Sequence, residues 1–308
     1  MNWMFWRPPA KNGSAVLAEA DMPSMFRATD AAAKRGRSST FWRAGVYLSL
    51  LVGAAIGSAI NWESPSGSVD FGAALASIAL LLALILALWT QSRRPEAQWY
   101  AGRAGAESVK SLTWLYCSHG IPFTGEASDM DALFVARLTS IKNELKDLEW
   151  PASSGAQITQ RMRSLRADDW TTRANTYRYG RVQDQLEWYS RKAEFNAKRE
   201  TWLSWGAAAI TFGGMIVAVL QIMNVFDFDG VGIAAAAAAA LTAWAQAQQH
   251  RTLASAYALA SQELSLVQAQ MQEIKESDWA QAVSDAEEAI SREHTMWLAR
   301  RGFGNASN

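Results

Sequence analysis

Four stretches of this chain carry no charged residue over close to the length a bilayer core demands of a helix, about 20 residues. They cover 44–60, 71–89, 202–226 and 230–246. A helix apolar on every side has no face to offer water, so each run predicts a membrane span. Only NWESPSGSVD separates the first two runs, and little more than Asp227-Phe228-Asp229 separates the last two. That spacing predicts two hairpins. Residues 234–240 are unbroken alanine, which is weakly lipophilic, so the fourth span depends on packing against the third. The first run begins too deep in the chain for a signal peptide. The fold class is an all-α membrane protein: four transmembrane helices as two hairpins, with long cytoplasmic helical extensions forming a bundle or coiled coil.

Orientation follows from the basic residues. The two tight loops hold Glu63, Asp70, Asp227 and Asp229 and no Lys or Arg. Lys34, Arg35, Arg37 and Arg43 precede the first span, Arg93 and Arg94 follow the second, Lys198 and Arg199 precede the third, and Arg251 follows the fourth. The positive-inside rule therefore places both termini and the long middle in the cytoplasm. Trp42, Trp62, Trp89, Trp99, Trp202, Trp205 and Trp244 fall near the interfaces that amphipathic indoles prefer. Were the spans to surround a pore, the four loop acids would form an outer mouth favouring cations.

Composition removes other classes. Twenty-nine basic residues balance 29 acidic ones, so net charge points to no nucleic-acid partner. The single cysteine, Cys117, gives no disulfide framework, and His119, His250 and His294 are scattered. No P-loop, G-x-S-x-G or HExxH occurs, so no enzyme, cofactor or metal is expected. Cys117-Ser118-His119 reads as an incidental triplet rather than a nucleophile pair.

The organisation expected is an irregular segment over 1–24, a two-span domain over 25–150, a linker over 151–167, a second two-span domain over 168–299 and a tail over 300–308. Trp89 and Trp244 hold the same place in the two copies, and Glu107 matches Glu263 within one residue, a structural duplication. Ser128 to Asp131 reads as a capping box. From Leu253 to Ile274 apolar residues alternate steps of four and three, and no Pro or Gly falls between Gly232 and Gly302. The fourth span is thus expected to continue as one helix roughly 100 Å long, packing within the chain or between subunits.

Two charged, indole-rich segments adjoin the apolar runs. Arg181, Gln185, Trp188, Lys192, Asn196 and Arg199 fall along one helical ridge, with Tyr189 on a separate apolar line. Arg103, Glu107 and Lys110 form a similar line between Trp99 and Trp114. Their chemistry alone fits solvated helices with cations near anionic headgroups, or levers joining cytoplasmic contacts to the membrane. Together these segments resemble the SLATT domains, the SMODS- and SLOG-associating two-transmembrane effectors of bacterial conflict systems, in two tandem copies over roughly 25–300. The resemblance implies a pore-forming or membrane-permeabilising effector of the bacterial inner membrane. It also implies a sensor protein or nucleotide second messenger as trigger, although no sensor or nucleotidyltransferase domain is recognisable in this chain. Gly53 and Gly57 form a GxxxG pattern, and Gly213 and Gly214 sit in the third span, where small residues allow close helix approach and a homo-oligomer, dimer or higher. Spans one and four are expected nearer an oligomer's centre, with the Leu-rich second span facing lipid. A non-conducting scaffold that recruits a cytoplasmic partner fits the same composition.

Overall fold

A computed structural model describes residues 17–60, 62–64, 67, 69–225 and 228–300, with side chains to residue 291. Asp227 and the N-terminal segment over 1–16 lie outside the described residues. Ten α-helices occur among them: α1 Ser24–Ala59, α2 Phe71–Arg93, α3 Pro95–Cys117, α4 Ala127–Glu144, α5 Gln160–Ala167, α6 Trp170–Tyr177, α7 Asp184–Ile222, α8 Gly230–Gln248, α9 His250–Gln272 and α10 Trp279–Arg300. The described residues hold no strand, and the protein is all-α. Four helical stretches, Ser24–Ala59, Phe71–Cys117, Trp170–Ile222 and Gly230–Gln272, are long and apolar enough to cross a membrane.

The chain divides into two compact units. One comprises residues 38–95 and 193–255 and contains all four apolar runs. Its Leu75, Ile78, Leu81, Leu84, Ile85 and Leu88 are each about half exposed, an apolar surface that water would penalise and lipid would not. Inside this unit α1 and α2 approach backbone to backbone: a Cβ at Gly57 would lie 3.1 Å from both Gly72 O and Ala76 N. α7 meets α8 where a Cβ at Gly214 would come 2.8 Å from the Ala234 methyl. α1 also meets α8, with Phe41 edge-on to Trp244 at 5.9 Å. α1 and α8 therefore each touch two helices in the unit. Gly53 and Gly213 meet nothing within 4 Å.

The loop acids have a local task. The Asp70 side chain accepts from Ala73 N at 3.0 Å and Asp229 from Gly232 N at 2.8 Å, so each caps the first turn of an apolar helix whose N–H groups lack partners. Glu63 pairs with Asp70 in an isolated antiparallel bridge.

The second unit comprises residues 17–37, 96–192 and 256–300. Its core draws Phe26 from α1, Val109, Trp114 and Tyr116 from α3, Phe134 from α4, Met162 and Leu165 from α5, Tyr177 from α6 and Val283 from α10. The helix expected to continue from the fourth span is instead broken twice. Gln249 adopts φ 52°, in the left-handed region, and α9 ends at Gln272 before a short 3-10 turn, Glu276–Asp278. Arg94 makes the matching left-handed break between α2 and α3, at φ 42°, and the helix after each break has 23 residues. Neither residue is Gly, so each break costs roughly 1–2 kcal/mol and carries no sequence signature. Nor does Ser128 open α4: the N-cap is Glu126, with no side-chain cap bond.

The two glycines of the GxxxG pattern predict opposite behaviour. Gly57→Leu drives a side chain into backbone and should lower stability by about 1–3 kcal/mol, whereas at Gly53 an added side chain meets no atom of its own chain within 4 Å and should cost the single chain less. Thermal unfolding of the detergent-solubilised protein separates the two; equal losses would contradict the packing described.

Candidate functional site

Just before α7 the backbone loosens. Arg178–Gln183 forms a π-helical turn, which holds more residues per turn than an α-helix, so residues four apart come close to alignment. Tyr177 and Arg181 are four apart, and both reach Glu287 of α10. Arg181 Nε donates to Glu287 Oε1 at 2.9 Å and Nη2 to Oε2 at 2.7 Å, while the Tyr177 hydroxyl donates to Oε1 at 2.9 Å. This bidentate pair is almost wholly excluded from solvent, its side chains 1% and 3% exposed.

α3 closes the other side. Arg181 Nη2 reaches Ser111 Oγ at 3.3 Å and its Nη1 reaches Gln185 Oε1 at 3.5 Å. Lys110 Nζ donates to the same Gln185 oxygen at 3.4 Å. Trp114 packs edge-on against Tyr177 at 5.8 Å, and Tyr177 edge-on against Trp279 at 5.9 Å. Trp279 Nε1 in turn donates to Ser118 O at 2.9 Å. One polar knot thus ties α3, the π turn with the start of α7, and α10.

Burial opposes the Arg181 charge, but Glu287 beside it more than reverses that, and the guanidinium is held above its ordinary range. Burial and the Glu287 charge push the Tyr177 phenol well up, keeping it a neutral donor. Lys110 is pushed down by burial and by the Arg181 cation, with Glu107 opposing. The buried centre gathers Arg181, Lys110 and Glu287, with Glu107 half-buried beside them. Cys117 Sγ contacts Met162 O at 3.7 Å, and burial raises its thiol far above its usual range.

Among the sequence candidates, Lys110, Trp114, Arg181 and Gln185 meet in the knot. Trp188, Tyr189 and Lys192 lie further along α7, where Trp188 packs on Tyr257 of α9 at 5.3 Å and Lys192 sits 5.7 Å over the Trp188 ring. Arg103 is buried on α3 and Glu107 half-buried, and both are engaged with neighbours. Gly53, Gly57, Gly213, Gly214, Glu63, Asp70 and Asp229 all belong to the unit with the four apolar runs. Sequence reasoning missed Glu287, the residue on which the knot centres. Its signal was its place four residues after Val283 and three before Ile290, both buried, which puts a carboxylate on the core face of α10.

Arg166 forms a second buried polar node. It donates to the carbonyls of Tyr116 at 2.6 Å, Phe123 at 3.0 Å and Gly125 at 3.0 Å, pinning the turn after α3. His119 Nε2 lies 3.1 Å from Arg166 O, which fits a neutral ring donating from Nε2. Burial, with the nearby Arg166 and Arg173 cations, lowers the His119 pKa to about 4.

Residues 23–174 match the family described as SMODS and SLOG-associating 2TM effector domain 3, and residues 177–297 match SMODS and SLOG-associating 2TM effector domain 1. No curated protein and no solved structure matches the chain. The knot is built from both matched segments, with Lys110, Ser111 and Trp114 in the first and Arg181, Gln185 and Glu287 in the second.

Removing one partner of a buried pair strands the other charge. Arg181→Ala should therefore cost about 3–5 kcal/mol, measured by thermal unfolding; a loss below about 1 kcal/mol would show the pair to be solvated. His119 predicts a pH dependence. Its folded pKa lies below the ordinary 6.5, so between about 4 and 6.5 the unfolded chain binds more protons and stability falls as pH falls. His119→Gln should flatten that slope in unfolding measured across this window, and an unchanged slope would remove the assignment.

Proposed function

The chain belongs to the SLATT family of two-transmembrane effector domains, and on that premise we propose that it permeabilises the bacterial inner membrane as an oligomeric, gated effector of a conflict system. The observation that carries this reading is that α7 begins inside the buried knot and runs unbroken from Asp184 to Ile222. On this reading α7 is the path by which a change at the Arg181–Glu287 centre reaches the third apolar run. With the knot intact the effector rests closed; a sensor protein or nucleotide second messenger that loosens α10 from α7 opens it. The described span residues offer no carboxylate or amine for a proton relay, which favours a hydrophobic path closed by dewetting.

Assembly uses the surfaces that the single chain leaves bare. Gly53 and Gly213 meet no neighbour within 4 Å, and such strips accept the helix of a second copy. Both termini lie in the cytoplasm, and the capping acids Asp70 and Asp229, with Glu63, line the outer ends of two hairpins.

Dye release from vesicles carrying the purified protein tests this reading. Glu287→Gln, which keeps the shape and removes the charge, should raise leakage by about tenfold, the scale of a coupling of 1–3 kcal/mol. A folded, correctly inserted Glu287→Gln protein with wild-type leakage would leave the knot as packing alone. Vesicles that stay sealed with both proteins would favour a scaffold that recruits a partner.

A further inference from the structure

One arginine of the four-span unit sits against an indole rather than a carboxylate. Arg43 of α1 lies immediately before the first apolar run, and its guanidinium stacks 4.0 Å over the Trp89 ring at the end of the second. Its Nη1 is buried without a hydrogen-bond partner among the described residues. Residues 38–62 and 71–95 contain no Asp or Glu, and Glu96, the next residue, accepts from the Tyr100 hydroxyl at 2.7 Å. Two more cations stand at the same place. Arg93 follows Trp89 by four residues and so shares its side of α2, and exposed Arg94 terminates the helix, whose carbonyl end favours cations but carries only partial charge.

The duplicate position makes the contrast plain. Trp244, the counterpart of Trp89, packs against Phe41 and lies beside Gly45, and Gln248 stands where Arg93 would be. The cationic cluster is therefore peculiar to the first copy rather than a requirement of the helix pair.

A partly buried guanidinium without a counter-ion is expensive beside a membrane, and the environment at a span's end supplies one anion in abundance. The indole covers one side of the Arg43 guanidinium, and guanidinium N–H groups that the indole does not engage suit a planar or tetrahedral oxyanion. We propose that Arg43, Trp89 and Arg93 form a headgroup site for an anionic phospholipid, seated at the basic end of α1 and α2. The site requires only that these helices span a bilayer; it stands or falls independently of any pore.

Native mass spectrometry of the detergent-solubilised full chain, titrated with phosphatidylglycerol or phosphatidylcholine, tests it. The wild type should prefer phosphatidylglycerol. Arg43→Gln and Arg93→Gln should each weaken that binding about fivefold, the worth of one cation near a lipid surface, while phosphatidylcholine binding stays unchanged. Arg251→Gln, a basic residue of the same unit outside the cluster, should bind as the wild type does. Exposed Arg93 serves where loss of Arg43 disturbs packing. Wild-type affinity in Arg93→Gln, an equal loss in Arg251→Gln, or displacement of the lipid by inorganic phosphate would each overturn the assignment.

Discussion

The Arg181–Glu287 ion pair is the constraint on which the helical unit of residues 17–37, 96–192 and 256–300 depends. Taking two charges out of water costs several kcal/mol each, and Coulomb attraction recovers this only with near-ideal geometry and further hydrogen bonds. Those conditions are met by groups from separate elements: the Tyr177 hydroxyl, Ser111 on α3 and Gln185 on α7. The pair therefore contributes less to net stability than to register. A slip of α10 by one residue would swing Glu287 away and leave Arg181 buried and unpaired. The π turn belongs to the same constraint, since it brings Tyr177 and Arg181 over one carboxylate.

Duplication supplies the frame in which this pair sits. Each copy has an aspartate capping its second apolar helix, a left-handed residue ending it, and a following helix of 23 residues. Yet the copies do not fold as separate bodies. Both compact units draw helices from both matched segments, so neither segment alone holds a complete core. Tandem arrangement in one chain fixes the stoichiometry of those shared cores. It also lets the copies diverge chemically, as Trp89 and Trp244 show, one under an arginine and the other against a phenylalanine.

The spans were legible in the sequence because a run without charge has few alternatives, and the all-α class followed from them. The motif residues were legible as two ridges, and Lys110, Trp114, Arg181 and Gln185 do meet. Their common partner was not, because Glu287 lies in the acidic stretch Ser284-Asp285-Ala286-Glu287-Glu288, where one carboxylate in three turns inward and local pattern favours the solvated face. The break at Gln249 was illegible for a different reason: a left-handed Gln has no compositional mark, and propensity continues the helix through it. The loop acids were read as a charged mouth, whereas Asp70 and Asp229 first satisfy orphan N–H groups of the helices they begin.

The measurement that tests the account most directly is ion current across a planar bilayer containing the purified protein, recorded for the wild type and for Glu287→Gln at matched protein density. The account predicts discrete current steps, rare in the wild type and frequent once the carboxylate is neutralised. Silent bilayers with both proteins, each folded and inserted, would contradict it and return the buried knot to a purely structural role.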